Sequence, residues 1–385
     1  MSASSIDTLA DWLVDGAPGA TDSASVLARI GEDLYAAGVP VHRISAFVRT
    51  LHPTVVGRAF RWSIGKQTEV FEPSHDAFVN SSVFADSPVR VVVDTQRELH
   101  MNIGPKDTPQ KYPVLDDLAA EGFVDYFAAP LVFLSGETHA ITFATKAEAG
   151  FSDTDLHSIR RIVRPLARIA EILALRRTAG TLLSTYVGRN CGDRILAGRI
   201  QKGDFETLRA VIWFSDLRSF TELTARASTR EVIAALNSIF ECQVPSIEKH
   251  GGEVLKFMGD GMLAIFPFAE GDDAAKVADR ALDAAHETLR AIAALAPLRI
   301  GLALHVGELA YGNIGGSQRL DFTAIGPAVN LTSRLEGLTS KLARPIVLSE
   351  ELAKLTTRPA DDLGTFELKG VAAPVRVFAP RPPAT

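Results

Sequence analysis

The sequence predicts a chain of the α+β class with a ferredoxin-like βαββαβ core in its carboxyl-terminal half. Three observations carry this prediction. Strand-like apolar runs and helix-period segments are mixed along the first 150 or so residues. One uninterrupted helical stretch follows. Beyond it the order strand, helix, hairpin, helix, strand runs once and is closed by further short strands.

The first 20 or so residues predict a short amphipathic helix ending in a Gly/Ala/Ser loop. In 21–151, SVLARIGEDLYAAG and HRISAFVRTLH carry apolar residues three and four apart and predict helices. AFRWSIG, RVVVDT, YFAAPLVFLSG and HAITFATKA predict strands. From Phe151 the chain becomes helical, opening on Ser152, Asp153 and Asp155, a cap followed by an acidic first turn. Leu156, Ile159, Val163, Leu166, Ile169 and Leu173 then form a narrow apolar seam, with Pro165 expected to bend it. Such a seam closes a domain core, pairs with a second helix, or does each over part of its length.

After the basic stretch 189–204, LRAVIWF predicts a buried strand, and SFTELTARAS and TREVIAALNSIFECQVPSIEKHG predict helices, the second interrupted at Pro245. EVLKF and MLAIFP flank Gly259-Asp260-Gly261, a hairpin turn of the Asp-Gly type. An alanine-rich helix follows at about 272–295, then the strands LRIGLALHVG and RLDFTAI, the helix AVNLTSRLEGL, the strand PIVLS, a helix, and a closing pair around TFELKG and VRVFA. The division is 1–20 helix or arm, 21–151 sensor-sized domain, 152–204 helical connector and 205–385 carboxyl-terminal domain.

Composition bounds the function. At roughly 100–200 residues per domain, 385 residues suggest two or three domains. With 46% hydrophobic and 22% charged residues the chain is too apolar for general disorder. Forty basic against 46 acidic residues, net −6, disfavour a nucleic-acid-coating protein. Two cysteines, Cys191 and Cys242, make neither a disulfide framework nor a four-cysteine zinc site, and point to a reducing compartment. MSASSIDTLADWLVDG lacks the features of a signal peptide, and no run approaches the ~20 apolar residues of a membrane span. The expectation is a cytoplasmic protein.

Chemistry concentrates in the carboxyl-terminal half. Asp216 falls where LRAVIWF ends, and Ser219 with Glu222 reads as a capping box, so a helix starts beside the carboxylate. A cation on the carboxylate and phosphate on the free N–H groups would suit that place, although a lone Asp is an ordinary turn residue. Asp260, 44 residues on, sits on the hairpin tip. Two carboxylates at adjacent strand ends suit one or two Mg²⁺ ions in phosphoryl transfer, whereas Gly-Asp-Gly alone is a turn. Lys256 breaks an apolar run, either reaching into a site or turning to solvent. Asn330 and Arg334 are i and i+4 on one face of a helix begun by Pro327, able to orient a ribose and meet phosphate charge, or simply exposed. Lys369 stands beside a turn glycine. His42, His52, His75 and His100 show no metal-ligand spacing.

In combination FSDLRSFTEL, VLKFMGDGMLAIF, FTAIGPAVNLTSRLE and FELKGVAAPVRVF resemble the catalytic domain of class III nucleotidyl cyclases over 210–379. The resemblance implies conversion of ATP to 3′,5′-cyclic AMP and pyrophosphate with two Mg²⁺ or Mn²⁺ ions per active site. Metal would lie on Asp216, Asp260 and the backbone carbonyl of Leu217. Lys256 and Thr323 would read adenine, Asn330 would orient the ribose, Arg334 would stabilise the transition state, and Lys369 would hold the triphosphate. Backbone N–H groups of Leu217, Arg218, Ser219, Phe220 and Thr221 would cradle phosphates. Lys and Thr, in place of the Glu and Cys usual in guanylyl cyclases, imply ATP over GTP. The resemblance also implies a head-to-tail homodimer, since one chain carries the residue set once. Residues 21–173 resemble a GAF-type sensor in their helix–strand–helix layout and their position. The implied effector is a small molecule or ion, with bicarbonate suggested by Thr323. The competing expectations are a guanylyl cyclase and a ligand-binding regulator with an idle cyclase domain.

Overall fold

The computed structural model describes residues 3–75, 86–105, 108–316 and 319–381. Two compact units divide the chain, Met1–Leu182 and Leu183–Thr385.

The first unit is built on a six-stranded sheet in the order β3-β2-β1-β6-β5-β4, antiparallel throughout. Its strands are β1 (Arg43–Arg49), β2 (Gly57–Ser63), β3 (Glu69–Phe71), β4 (Leu99–Asn102), β5 (Asp125–Val132) and β6 (Thr138–Thr145). Helices α1 (Ala3–Val14) and α2 (Ser23–Ala36) cover one face, with Leu9, Leu13, Ile30 and Leu34 buried against Ile44, Trp62, Phe127 and Phe143. The amino-terminal helix is thus part of a core, not a free arm. Gly31 lets α2 lie on the Trp62 ring: a Cβ there would fall 2.3 Å from the indole. Helices α3 (Pro88–Thr95) and α4 (Pro113–Ala120) cover the other face through Val92, Leu115 and Leu118. Between these helices and the sheet lies a cavity of about 390 Å³, its walls including Phe47, Phe60, Phe71, Val114, Leu118 and Tyr126.

Two expected elements change type. HRISAFVRTLH is strand β1, not a helix: its segment pairs with β2 on one side and β6 on the other, and those two ladders outweigh the three-and-four spacing. RVVVDT is most of helix α3, not a strand. Ser87 accepts a hydrogen bond from the Arg90 N–H and Pro88 occupies the first turn, so a helix start overrides the β-branched run.

Helix α5 (Asp153–Val187) is continuous through Pro165. Leu156, Ile159, Val163, Leu166 and Ile169 sit in the first unit's core, whereas Ile172 and Leu175, further along, are 59% and 62% exposed. The seam therefore packs on its own domain at the start and presents apolar residues later.

The second unit opens with α6 (Arg189–Leu196) and contains β7 (Phe205–Leu217), α7 (Phe220–Arg226), α8 (Thr229–Lys249), β8 (Glu253–Met258), β9 (Gly261–Pro267), α9 (Ala274–Ala293), β10 (Ile300–Gly315) and β11 (Leu320–Ile325). It continues through α10 (Pro327–Glu336), α11 (Leu338–Lys341), β12 (Ile346–Ser349), α12 (Glu350–Leu355), β13 (Ala360–Phe366) and β14 (Val375–Pro380). The sheet runs β13-β14-β12-β10-β7-β9-β8, with β11 paired to β10. Strand β7 is central, and its Val211 and Trp213 pack with Phe266, Leu282 and Leu304. Burying such side chains stabilises by about 1.5–3 kcal/mol each. The expected break at Pro245 is absent: α8 runs through it. Both Pro245 and Glu241, whose carbonyl loses its usual helical donor at the proline, lie on the exposed side of the helix.

Candidate active site

The sheet delivers Asp216 as the penultimate residue of β7, opposite Gly301 of β10. Asp260 stands in the two-residue turn between Met258 and Gly261, which pair with each other. Gly259 takes φ +67°, so the turn is centred on Gly-Asp, not on Asp-Gly as expected. Gly261 serves the neighbouring strand: a Cβ there would lie 3.1 Å from the Ser215 carbonyl and 3.3 Å from Asp216 Oδ1. Glycine thus leaves room for the carboxylate at the junction of three strands.

Asp216 and Asp260 are brought into hydrogen-bonding proximity. Burial, then the charge and hydrogen bond of Asp260, then Glu336 push the Asp216 carboxyl up to about 7. Glu336, at the end of α10, is itself raised, foremost by burial, and accepts from Thr339 Oγ1 at 3.1 Å. Sequence reasoning missed it. The available signal was a carboxylate at a helix carboxyl terminus, where the dipole disfavours negative charge. Gly301 makes room here too, since a Cβ would fall 2.3 Å from Glu336 Oε1.

The expected capping box at Ser219 and Glu222 does not form. Ser219 adopts a left-handed conformation, φ 59°, and makes no capping hydrogen bond. The box is found one helix later, where Ser228 and Glu231 bond reciprocally. Arg218 was expected to offer its N–H to phosphate, but that group donates to the Arg299 carbonyl at 2.9 Å. Its guanidinium ties the carbonyls of Thr339 and Arg344. Leu217, 4% exposed, pairs with Ile300. Ser219, Phe220 and Thr221 stand at the start of α7.

A second group gathers at β8 and β11. Lys256 Nζ lies 3.1 Å from Asp321 Oδ2, and Thr323 follows two residues on in the same strand. Thr323 is 5% exposed, and its buried hydroxyl makes no hydrogen bond among the described residues. Asn330 and Arg334 are both exposed on α10, one turn apart, and Lys369 is exposed after β13. Among the described residues, no hydrogen bond or ion pair engages the side chains of these three. They are not joined to the carboxylates within one chain.

The amino-terminal histidines are engaged otherwise. His100 bonds Asp125 at 2.9 Å and His42 lies 2.9 Å from the Pro40 carbonyl. Among the described residues, no three or more His, Cys, Asp or Glu side chains cluster as a metal site, and no helix is long and apolar enough to cross a membrane.

Residues 205–378 match the family model described as the adenylate and guanylate cyclase catalytic domain. The match lies within the carboxyl-terminal unit and spans a little under half of the chain. Among known proteins it is similar to the adenylate cyclase of Anabaena cylindrica, 30% identical over 185 residues that cover 46% of this chain and 36% of that one. It is likewise similar to adenylate cyclase 1 of Rhizobium meliloti, 30% identical over 43% of this chain and 26% of that one. The chain thus spans about a third or less of the length of these curated relatives. Among solved structures it is similar to the adenylyl cyclase CyaB from P. aeruginosa, at 27% identity and a TM-score of 0.43, over 46% of this chain and 96% of that one.

Proposed function

We propose that the chain is an adenylyl cyclase that converts ATP to 3′,5′-cyclic AMP and pyrophosphate. The observation that carries this reading is the pair Asp216 and Asp260, two carboxylates crowded at one strand end within the cyclase-type segment. Such a pair is suited to a divalent cation, which relieves their mutual repulsion. Beyond Asp216 and Asp260, the remaining ligands would be water, substrate phosphates and the Leu217 carbonyl, a donor set suited to Mg²⁺ or Mn²⁺. When bound, two such ions supply Lewis-acid activation of the 3′-hydroxyl and neutralisation of the triphosphate.

The chain's own residues do the rest. Asp216 and Asp260 hold negative charge at the reacting end. The N–H groups of Ser219, Phe220 and Thr221 face phosphate, now without Arg218. Asn330 orients the ribose, Arg334 meets the charge that develops as the 3′-oxygen attacks the α-phosphorus and pyrophosphate leaves, and Lys369 binds the triphosphate. Because Asn330 and Arg334 are exposed and unspent, we place them in the site of a second copy, giving a head-to-tail homodimer with two equivalent sites. The exposed Ile172 and Leu175 suit helix pairing in that dimer. The first unit we read as a GAF-like regulator whose cavity takes a small-molecule effector. Bicarbonate is a separate candidate, acting at the catalytic unit.

The test is cyclic nucleotide formation by purified protein with Mn²⁺ or Mg²⁺, from ATP and from GTP in parallel. Cyclic AMP that disappears in Asp216→Ala supports the reading. A preference for GTP makes the protein a guanylyl cyclase, and no product from either leaves a regulator with an idle domain. Specific activity that holds on dilution to a monomer would remove the dimer, and a flat bicarbonate titration at constant pH would remove that effector.

A further inference from the structure

Asp216 is flanked by glycine on both sides. Gly301 faces it across the β7–β10 ladder, and Gly261 of β9 lies so near that a Cβ there would meet Asp216 Oδ1 at 3.3 Å. Directly opposed residues of an antiparallel pair project to the same face of the sheet. The place beside Gly301 is nevertheless filled. The Glu336 carboxylate and the Thr339 hydroxyl occupy the space that a Cβ on Gly301 would take. The fold therefore sets a third carboxylate next to the Asp216–Asp260 pair, about one strand spacing away.

Packing alone does not call for that charge. Glu336 is the last residue of α10, where the helix dipole disfavours a negative group, and burial raises its pKa, with Asp260 adding to the effect. Arg218 eases it, but the Arg218 Nη2 is engaged by the carbonyls of Thr339 and Arg344. The bond that Glu336 accepts from Thr339 Oγ1 at 3.1 Å could be accepted equally by a glutamine amide oxygen. What the carboxylate adds is a charge that, with no cation bound, only repels its neighbours. Among the described residues no three acidic, histidine or cysteine side chains converge as a metal site, so Glu336 acts through its field and not as a ligand.

We propose that Glu336 is a positioning residue for the cation: without being a ligand, it completes the anionic field that holds a divalent ion on Asp216 and Asp260, and it destabilises the unoccupied fold. The proposal rests on the cyclase reading above. One more negative charge strengthens the binding of a dication, whereas the same charge among bare carboxylates weakens the fold. The two effects have opposite signs. A residue serving the architecture alone shows no such opposition.

The experiment compares the full chain with Glu336→Gln, which keeps the shape and the bond from Thr339. Thermal midpoints are read in chelator, and Mn²⁺ binding is followed through loss of the free ion's paramagnetic signal, without nucleotide. In chelator Glu336→Gln melts no lower than the unaltered chain. It binds Mn²⁺ about tenfold more weakly, and the Mn²⁺ concentration for half-maximal turnover rises by about as much. A lowered midpoint in chelator, or Mn²⁺ affinity within about twofold of normal, makes Glu336 structural and overturns the proposal while the cyclase reading stands. If the unaltered protein neither binds Mn²⁺ nor turns over ATP or GTP, the cyclase reading fails and this proposal falls with it.

Discussion

The two units use sheets of similar size for different ends. In the first, helices cover both faces, and the space left over is an apolar cavity of about 390 Å³. In the second, the central strand ends in a carboxylate that a neighbouring turn crowds with another, while cationic side chains stand unspent on the surface. One unit stores room and the other stores unbalanced charge. Cavities accept ligands without chemistry, whereas crowded like charges are costly and persist where a cation or substrate relieves them.

The largest expected effect breaks the second half of that comparison. Asp216→Asn keeps the shape but halves the anionic pair, and ATP turnover should fall by about 10³-fold or more with the thermal midpoint undiminished. A variant within tenfold of normal would show that the pair is structural. Next, Arg334→Ala removes an exposed side chain that makes no hydrogen bond or ion pair among the described residues, so kcat should fall about 10²–10³-fold without loss of stability. A lowered melting temperature with kcat intact would place Arg334 in the architecture instead.

The first unit should respond in stability. Gly31→Ala drives a methyl into the Trp62 ring and is expected to cost about 1–3 kcal/mol. Calorimetry should show the transition of the first unit moving down. An unchanged scan would mean that the indole has space to yield.

The smallest effect concerns pH. His139, on β6, is buried, and among the described residues its Nε2 makes no hydrogen bond. The Glu137 carboxylate lies 3.8 Å away, and burial outweighs that charge and lowers the imidazole pKa below the usual histidine value. The folded state then binds its proton less readily than the unfolded chain. Its contribution to stability is complete above the unfolded value, about 6.5, and is lost as pH falls from there through the lowered one. Melting temperatures of the full chain between pH 7.5 and 5 should fall less steeply in His139→Asn. Parallel curves would assign the acid sensitivity elsewhere, His305 being the matching buried imidazole of the second unit.

Legibility also differed between the halves. Strands β7, β8, β9 and β10 announce themselves because long apolar runs are bounded by Gly, Pro or charge, and Asp216 and Asp260 were readable as carboxylates at run ends. The errors lie where periodicity is short. The apolar positions of 44–48 satisfy both a helical and a two-sided strand pattern, and Ser87-Pro88 outweighed four residues of β propensity. In the site, Glu336 and Asp321 went unread because their significance comes from what packs across from them, namely Gly301 with Asp216, and Lys256. The local sequence offers only the place of Glu336 at a helix carboxyl terminus, and it marks neither pairing.

The central claim is that the crowded carboxylates serve nucleotide cyclisation. Purified protein given equimolar ATP and GTP with Mn²⁺ should release cyclic AMP in excess of cyclic GTP-derived product, with pyrophosphate in equal amount, and Asp260→Asn should release neither. Product formation unchanged in Asp260→Asn, or nucleotide returned intact by the unaltered protein, would contradict it.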